Sequence, residues 1–124
     1  MKKEISTKNA PGAIGPYSQA VEANGMIFVS GQLPINPATG EMPKDINEQA
    51  MQSIANIKAV LAEAGCTLDN VVKTTVFLSD MSLFAGMNEV YSMAFSAPFP
   101  ARSAFAVKEL PKGAKVEIEV IAVR

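Results

Sequence analysis

The sequence predicts an α+β fold in which two helices cover one face of a β-sheet. Segments typical of strands lie before, between and after two segments with helical periodicity. Their order is strand–strand–helix–strand–helix–strand–strand, with a short edge strand at Lys3 to Thr7 ahead of the rest. Two helices of this length can cover only one face of such a sheet. We therefore expect the other face, to which Phe77, Ile121 and Val123 belong, to be buried in an oligomer.

The chain ahead of the first helix centres on the dipeptide Asn24-Gly25, which separates the predicted strands Tyr17 to Ala23 and Met26 to Ser30. Asn-Gly is the strongest short hairpin signal, because a type I′ turn needs positive φ at both positions. Residues 9–16 and 31–43 are punctuated by glycine and proline, so we predict loops there.

The first helix is predicted over Asp45 to Glu63. Asp45 is a suitable N-cap, and Glu48 three residues later completes a capping-box pattern. Gly65 suits the left-handed position that follows a last helical turn. The apolar residues that repeat at helical spacing are Ile46, Ala50, Ile54, Ile57 and Leu61.

The next strand, Val71 to Ser79, is apolar or neutral on both faces, which is typical of a central strand. The second helix is predicted to begin at Asp80 or Ser82 and to run to about Ser96, ahead of two prolines that stop it. Its apolar stripe consists of Phe84, Met87, Val90, Tyr91, Ala94 and Phe95.

The last two predicted strands, Ser103 to Lys108 and Val116 to Val123, alternate between two faces. Residues 110–113 (Leu-Pro-Lys-Gly) between them suit a turn, because proline fixes φ and glycine tolerates positive φ. We therefore predict a hairpin in which Lys108 lies opposite Lys115.

Composition excludes several classes of function. The 124 residues are enough for one domain, and 48% of them are apolar, which is typical of a folded globular protein. The net charge is −1 and no basic stripe is present, so we do not expect a nucleic-acid partner. No apolar run reaches the length of a membrane span. The first residues lack the apolar stretch of a secretory signal, and we predict a cytosolic protein without a membrane partner.

The chain has no histidine and one cysteine, Cys66. This composition excludes a Ser-His-Asp triad, a Cys-His dyad and the usual histidine-ligated zinc site. Acid–base chemistry at neutral pH must therefore use a carboxylate, a lysine, a tyrosine or bound water. We expect neither a metal nor a cofactor.

Two charged residues lie in unusual places. Arg102 stands at the start of a predicted strand, after Pro98 and Pro100, and its planar fork suits a carboxylate. Glu117 lies within an otherwise apolar strand. Together they suggest a small anion site with a proton-handling group. The alternatives are an exposed arginine at a strand end and a solvated strand face shared by Glu117 and Glu119.

Five segments follow one another in the order seen in a known family. They are Ala-Ile-Gly-Pro-Tyr-Ser-Gln at 13–19, Val-Ser-Gly-Gln at 29–32, Val-Lys-Thr-Thr-Val-Phe-Leu at 72–78, Phe-Pro-Ala-Arg-Ser at 99–103 and Val-Glu-Ile-Glu-Val-Ile-Ala at 116–122. With them the chain resembles the reactive intermediate deaminases, the RidA/YjgF family, also called the endoribonuclease L-PSP family. The resemblance covers essentially the whole chain.

This resemblance implies a chorismate-mutase-like fold, a mixed sheet with two helices on one face, over the single domain 1–124. It also implies a homotrimer with clefts between subunits. The implied activity is hydrolysis of 2-aminoacrylate, 2-aminocrotonate and their 2-imino acid tautomers to 2-oxo acids and ammonia. Two alternatives stay open: a non-catalytic trimer that binds 2-oxo acids, and a ribonuclease or translation inhibitor.

The resemblance also implies roles for single residues. Arg102 would hold the substrate carboxylate, and Glu117 would hold or polarise the attacking water. Tyr17 would close the cleft from a neighbouring subunit. The remaining implied binding positions are Ser30, Gly31, Asn88 and Ala104.

Each of these positions has a plainer explanation. Tyr17 could be a half-buried packing residue, and Asn88 an amide on a helix surface. Many relatives carry cysteine where this chain has Ala104. Because the family contact there is largely through the backbone, we expect the anion site to persist without a thiol.

The predicted hairpin register separates the two charged residues. With Lys108 opposite Lys115, Glu117 faces Ala106, and Arg102 lies four residues further along the strand, roughly 13 Å away. One small 2-imino acid could not reach both residues at that distance. We therefore expect a cleft between subunits, in which Tyr17 of one chain closes over Arg102 of another.

Overall fold

The computed structural model describes residues 1–124 and contains a six-stranded mixed sheet with two helices. Its strands lie in the order β1-β2-β3-β6-β4-β5, in which only β4 and β5 run parallel. This architecture confirms the predicted α+β class. The strands are β1 (Lys3–Ile5), β2 (Ala20–Ala23), β3 (Met26–Gln32), β4 (Val71–Leu78), β5 (Ala101–Ala106) and β6 (Val116–Val123).

The hairpin at Asn24-Gly25 is confirmed. Both residues have positive φ, 53° and 75°, and Ala23 pairs with Met26 across the turn. β2 begins three residues later than predicted, because Gln19 is buried and its side chain donates to carbonyls of residues 7–11. β3 continues past its predicted end and changes register between Val29 and Gln32.

The first helix, α1 (Ile46–Glu63), begins one residue later than predicted, because Asp45 is its N-cap, and ends at the predicted residue. The Asp45 side chain accepts a hydrogen bond from the Glu48 backbone N–H, as expected of an N-cap. After the last turn, Gly65 has a φ of +78°, and its N–H and that of Cys66 donate to carbonyls of the final turn. Glycine at this position therefore ends the helix in a Schellman motif.

The second helix, α2 (Phe84–Ala94), is shorter than predicted at both ends. Asp80 caps a single 3₁₀ turn ahead of it, by accepting from the Ser82 N–H. The helix ends two residues before Ser96, where Phe95 takes an extended conformation on the way to the prolines.

The predicted hairpin of the last two strands is wrong. β5 and β6 do not pair, because β4 lies between them and bonds to both. β4, α2 and β5 form a strand–helix–strand unit, and such a crossover brings its two strands together in parallel. The turn after Leu110 therefore joins strands that are not neighbours. β5 also spans 101–106 instead of 103–108, so Arg102 lies inside the strand.

Alternate residues of the central strands pack under the two helices and form the hydrophobic core. The residues between them form the opposite surface of the sheet, here called the open face. It combines aromatic and charged side chains, and Phe28 and Phe105 are 40% and 44% exposed. The open face includes Phe28, Lys73, Thr75, Phe77, Ser103, Phe105, Glu117, Glu119 and Ile121. Neither helix is long and apolar enough to span a membrane.

Candidate active site

Arg102 is held against α2. It pairs with Thr74 on the neighbouring strand, and this pairing directs its side chain to the helix-covered side of the sheet. Its Nη1 donates to Asn88 Oδ1 at 2.6 Å. The guanidinium carbon also lies 4.7 Å from the ring centre of Tyr91 and 5.4 Å from that of Phe84. The side chain is exposed to solvent yet held in place by these contacts.

Three α2 residues at positions i, i+4 and i+7 make these contacts: Phe84, Asn88 and Tyr91. The structure therefore brings together the predicted site residues Arg102 and Asn88. Phe84 and Tyr91 were assigned only to the apolar stripe of the helix. The spacing of these two residues from Asn88 indicates that they lie beside it, because residues three and four apart share one face of a helix.

Glu117 lies in a different part of the molecule. It projects from β6 on the open face and is partly buried. Burial raises the pKa of its carboxyl above the ordinary value of 4.5, and the negative charge of Glu119 raises it further. A carboxylate with a raised pKa is a better proton acceptor than a solvated one.

Gly31 lies directly against Glu117. A Cβ at position 31 would come within 2.9 Å of the Glu117 carboxyl carbon, so any other residue there would displace the carboxyl group. The bulge of β3 passes through this point. The carboxyl group therefore rests on the bare backbone of the neighbouring strand.

Tyr17 and Ser30 complete this second group. Tyr17 is half exposed and lines the same cleft, of about 550 Å³, as Ser30, Gly31 and Glu117. The Ser30 hydroxyl donates to the Ser18 carbonyl at 2.6 Å, which ties the loop of Tyr17 to β3. Two further lining residues that the sequence did not single out are Ile14 and Lys112, the latter with a φ of 58°.

The two groups do not meet within one chain. Arg102 is level with Thr74, whereas Glu117 is level with Phe77 and, on β5, Phe105. Two strand spacings and three residue rises separate their Cα atoms by about 14 Å. Their side chains also project from opposite faces of the sheet. The predicted pairing of Glu117 with Ala106 is thus wrong, although the separation that it implied is of the observed size.

Ala104 belongs to the Arg102 group. It lies two residues along β5, on the same face, and packs against the core. The candidate residues therefore divide between the Arg102 group, with Asn88 and Ala104, and the Glu117 group, with Tyr17, Ser30 and Gly31. Nowhere do three or more His, Cys, Asp or Glu side chains gather as metal ligands would.

The fold and this arrangement define a small α+β protein with an exposed arginine held against α2 and a partly buried carboxyl group of raised pKa on the opposite face of the sheet. The model of the endoribonuclease L-PSP family matches residues 7–124. The 2-iminobutanoate/2-iminopropanoate deaminase of Escherichia coli K12 is 52% identical, over all of this chain and 99% of that protein. The chain belongs to this family of reactive intermediate deaminases.

Solved structures agree with this assignment. Escherichia coli TdcF with bound serine superposes with a TM-score of 0.95 at 49% identity, over 98% of each chain. The Rid-family protein YyfA from Yersinia pestis superposes with a TM-score of 0.97 at 52% identity, over the full length of both chains.

Proposed function

We propose that this protein hydrolyses 2-aminoacrylate, 2-aminocrotonate and their 2-imino acid tautomers to 2-oxo acids and ammonia. The observation that carries the proposal is the Glu117 carboxyl, which is basic, partly buried and seated on Gly31 in an open cleft. The relatives named as deaminases of such imines support the same activity. The expected location is the cytosol, and nucleic acid is not expected as a partner.

Arg102 is proposed to bind the substrate carboxylate. Its one hydrogen bond to protein goes through Nη1 to Asn88, so the Nε and Nη2 N–H groups remain for a ligand. Two parallel N–H groups match the two oxygens of a carboxylate. Serine, which is bound in the structure of Escherichia coli TdcF, carries the same carboxylate on a backbone of similar size.

Glu117 is proposed to handle the water. The carboxylate accepts a proton from the water as its oxygen adds to the imine carbon, and it passes that proton to the nitrogen, which gives a tetrahedral adduct with a hydroxyl and an amino group on that carbon. The hydroxyl proton then moves through the carboxylate to the nitrogen as the C–N bond breaks, which releases ammonia and leaves the carbonyl group of a 2-oxo acid. Backbone groups at Gly31 and Ala104 orient the imine. The chemistry needs positioning more than strong activation.

A single small substrate can contact both groups only if they come from two chains, since about 14 Å and the sheet itself separate them in one. We therefore place the site between subunits of a homotrimer, with Arg102, Asn88 and Ala104 from one chain and Glu117, Tyr17, Ser30 and Gly31 from the next. The exposed aromatic residues of the open face are the surface that such an assembly would bury.

Ammonia release tests the activity. Freshly generated 2-aminoacrylate should yield pyruvate and ammonia faster with the protein than without it. The rate should survive exhaustive treatment with EDTA, because the chain lacks histidine and has one cysteine. An unchanged rate in the presence of the protein would contradict the deaminase. Loss of activity with EDTA and recovery with a divalent metal would contradict the metal-free reaction.

Light scattering tests the assembly. At micromolar concentration the mass should be three times the 13.1 kDa of the chain. Phe105→Glu should lower it, because a carboxylate would then replace an aromatic ring that packs against Phe77 and would be buried between subunits. Met93→Glu is the matched control, since Met93 is exposed on α2, away from the open face. A parent protein that stays monomeric would remove the basis for a site between subunits.

Arg102→Lys should lose most of the activity although the charge is kept. Lysine offers a point charge on a flexible stem, whereas the substrate carboxylate needs a fixed planar fork. Steady-state kinetics should show the loss as a raised KM. Arg124→Lys is the control, because Arg124 pairs with Glu22 at the far side of the sheet. Parent-like kinetics for Arg102→Lys would make Arg102 a merely electrostatic residue.

A further inference from the structure

Tyr91 occupies a position that its packing role does not explain. The residue is only 4% exposed, and its ring lies under the guanidinium of Arg102, 4.7 Å from centre to carbon. Its hydroxyl shares a 2.8 Å hydrogen bond with the buried Thr74 Oγ1. Thr74 is in turn the residue beside Arg102 in the β4–β5 pairing. The β4–β5 pair therefore holds Arg102 through its backbone and holds the hydroxyl end of the Tyr91 ring through Thr74.

We propose that Tyr91 is a positioning residue, which sets the orientation of the Arg102 fork for the substrate carboxylate. The proposal rests on the proposed function, because it concerns how the same carboxylate is held. A cation over an aromatic face is attracted by the negative face of the ring. The ring therefore holds the guanidinium from below, Asn88 holds Nη1 from one side, and the Nε–Nη2 edge is left to the ligand.

The hydroxyl of Tyr91 makes this support rigid. Without an anchor the ring could slide along the core, and the guanidinium above it would sample several orientations. The bond to Thr74 removes that freedom, and it keeps both buried hydroxyls paired. Burial raises the pKa of Tyr91 above 10.0, with the Thr74 bond and the Arg102 charge acting in the opposite direction. The hydroxyl therefore keeps its proton at neutral pH.

Tyr91→Leu should raise KM by about two- to fivefold, the size expected for one exposed cation–π contact, and should leave kcat near that of the parent. The same factor should appear in the dissociation constant of 2-oxobutanoate, measured by calorimetry. Tyr91→Phe keeps the ring and should restore most of the affinity. Thr74→Val removes only the anchor and should resemble Tyr91→Phe.

A spectroscopic measurement separates positioning from folding. Arg102 and Arg124 are the arginines of the chain, so ¹⁵N-labelled protein should give two Nε–H signals. Tyr91→Leu should lower the ¹H–¹⁵N heteronuclear NOE of the Arg102 Nε–H, because the unsupported guanidinium samples several orientations, and should leave the NOE of the Arg124 Nε–H unchanged. Phe95→Leu is the matched control. Phe95 packs against Tyr91, with ring centres 4.5 Å apart, and is not one of the two rings next to the Arg102 guanidinium. Phe95→Leu should lower Tm but leave KM and the NOE of both arginine signals unchanged.

The proposal is overturned if Tyr91→Leu lowers Tm but leaves KM, the 2-oxobutanoate affinity and the NOE of the Arg102 Nε–H as in the parent. If that variant does not fold, Tyr91→Met, which also removes the ring but keeps a longer apolar side chain, takes its place in the same measurements, with Tyr91→Phe as the control that keeps the ring. Absence of deaminase activity in the parent would contradict the proposed function only. The Nε signals and the 2-oxobutanoate affinity would still show whether Tyr91 positions Arg102.

Discussion

Glu117→Gln is expected to lower kcat by about a hundredfold or more, the size typical of a lost general base. Glutamine keeps the length and hydrogen bonding of the side chain, so the affinity for a stable 2-oxo acid should stay near that of the parent. The measurements are ammonia release under steady-state conditions and calorimetric titration with 2-oxobutanoate.

Glu119→Gln is the matched control for this prediction. Glu119 lies two residues further along β6 on the same face, but its side chain is exposed. It does not pack against Gly31 as Glu117 does. This substitution should leave turnover close to that of the parent. If Glu117→Gln turns over normally, Glu117 does not handle the water. Equal losses of turnover in both variants would mean that the negative charge of the open face matters, and not Glu117 as a general base.

The stability of Glu117→Gln gives an independent check on the carboxyl group. Its pKa is raised in the folded protein, so the folded state loses stability as pH rises through that value. Below the ordinary value of 4.5, the group is largely neutral in both the folded and unfolded states. The variant should therefore have a higher Tm than the parent at pH 7, and the difference should shrink toward pH 4. A lower Tm at pH 7 would contradict the burial penalty.

Mixing Arg102→Ala with Glu117→Gln subunits is expected to restore activity that neither variant has alone. If each site takes Arg102 from one chain and Glu117 from the next, random assembly of equal amounts leaves about a quarter of the sites intact. Reversible dissociation, mixing and reassembly should thus recover about that fraction of the parent rate. Each variant treated alone is the control.

A mixture that stays inactive, after its mass shows reassembly, would mean that the two residues act from one chain. That outcome would require Arg102 to leave Asn88 and Tyr91 and to reach the other face of the sheet. The present contacts of Arg102 with α2 argue against such a movement, because it would break a 2.6 Å hydrogen bond and two aromatic contacts.

Much of the fold could be predicted from local sequence. The caps of α1, the positive φ values at Asn24 and Gly25, and the boundaries of β6 all followed from residues within a few positions of each feature. Such features depend on hydrogen bonds and backbone dihedral preferences of residues that are close together in the sequence. Arg102 and Glu117 could be proposed as site residues from the sequence because their types are unusual for their surroundings, as a carboxyl group is in an apolar strand; the other site positions came from the family resemblance, and the roles of all of them stay predictions.

The partners of β5 and β6 could not be found in that way. Both strands alternate correctly, and the turn after Leu110 suits a hairpin, yet β4 lies between them and bonds to each. Which strands pair depends on the free energy of the whole sheet and not on one turn. Here the β4–α2–β5 crossover places β5 beside β4, and β4 forms backbone hydrogen bonds along both of its edges, which stabilises the sheet more than a local hairpin would. For the same reason, only the tertiary structure decided that Arg102 and Glu117 lie on opposite faces of the sheet. The sequence of a strand shows which residues share a face, but not which of the two faces the helices cover.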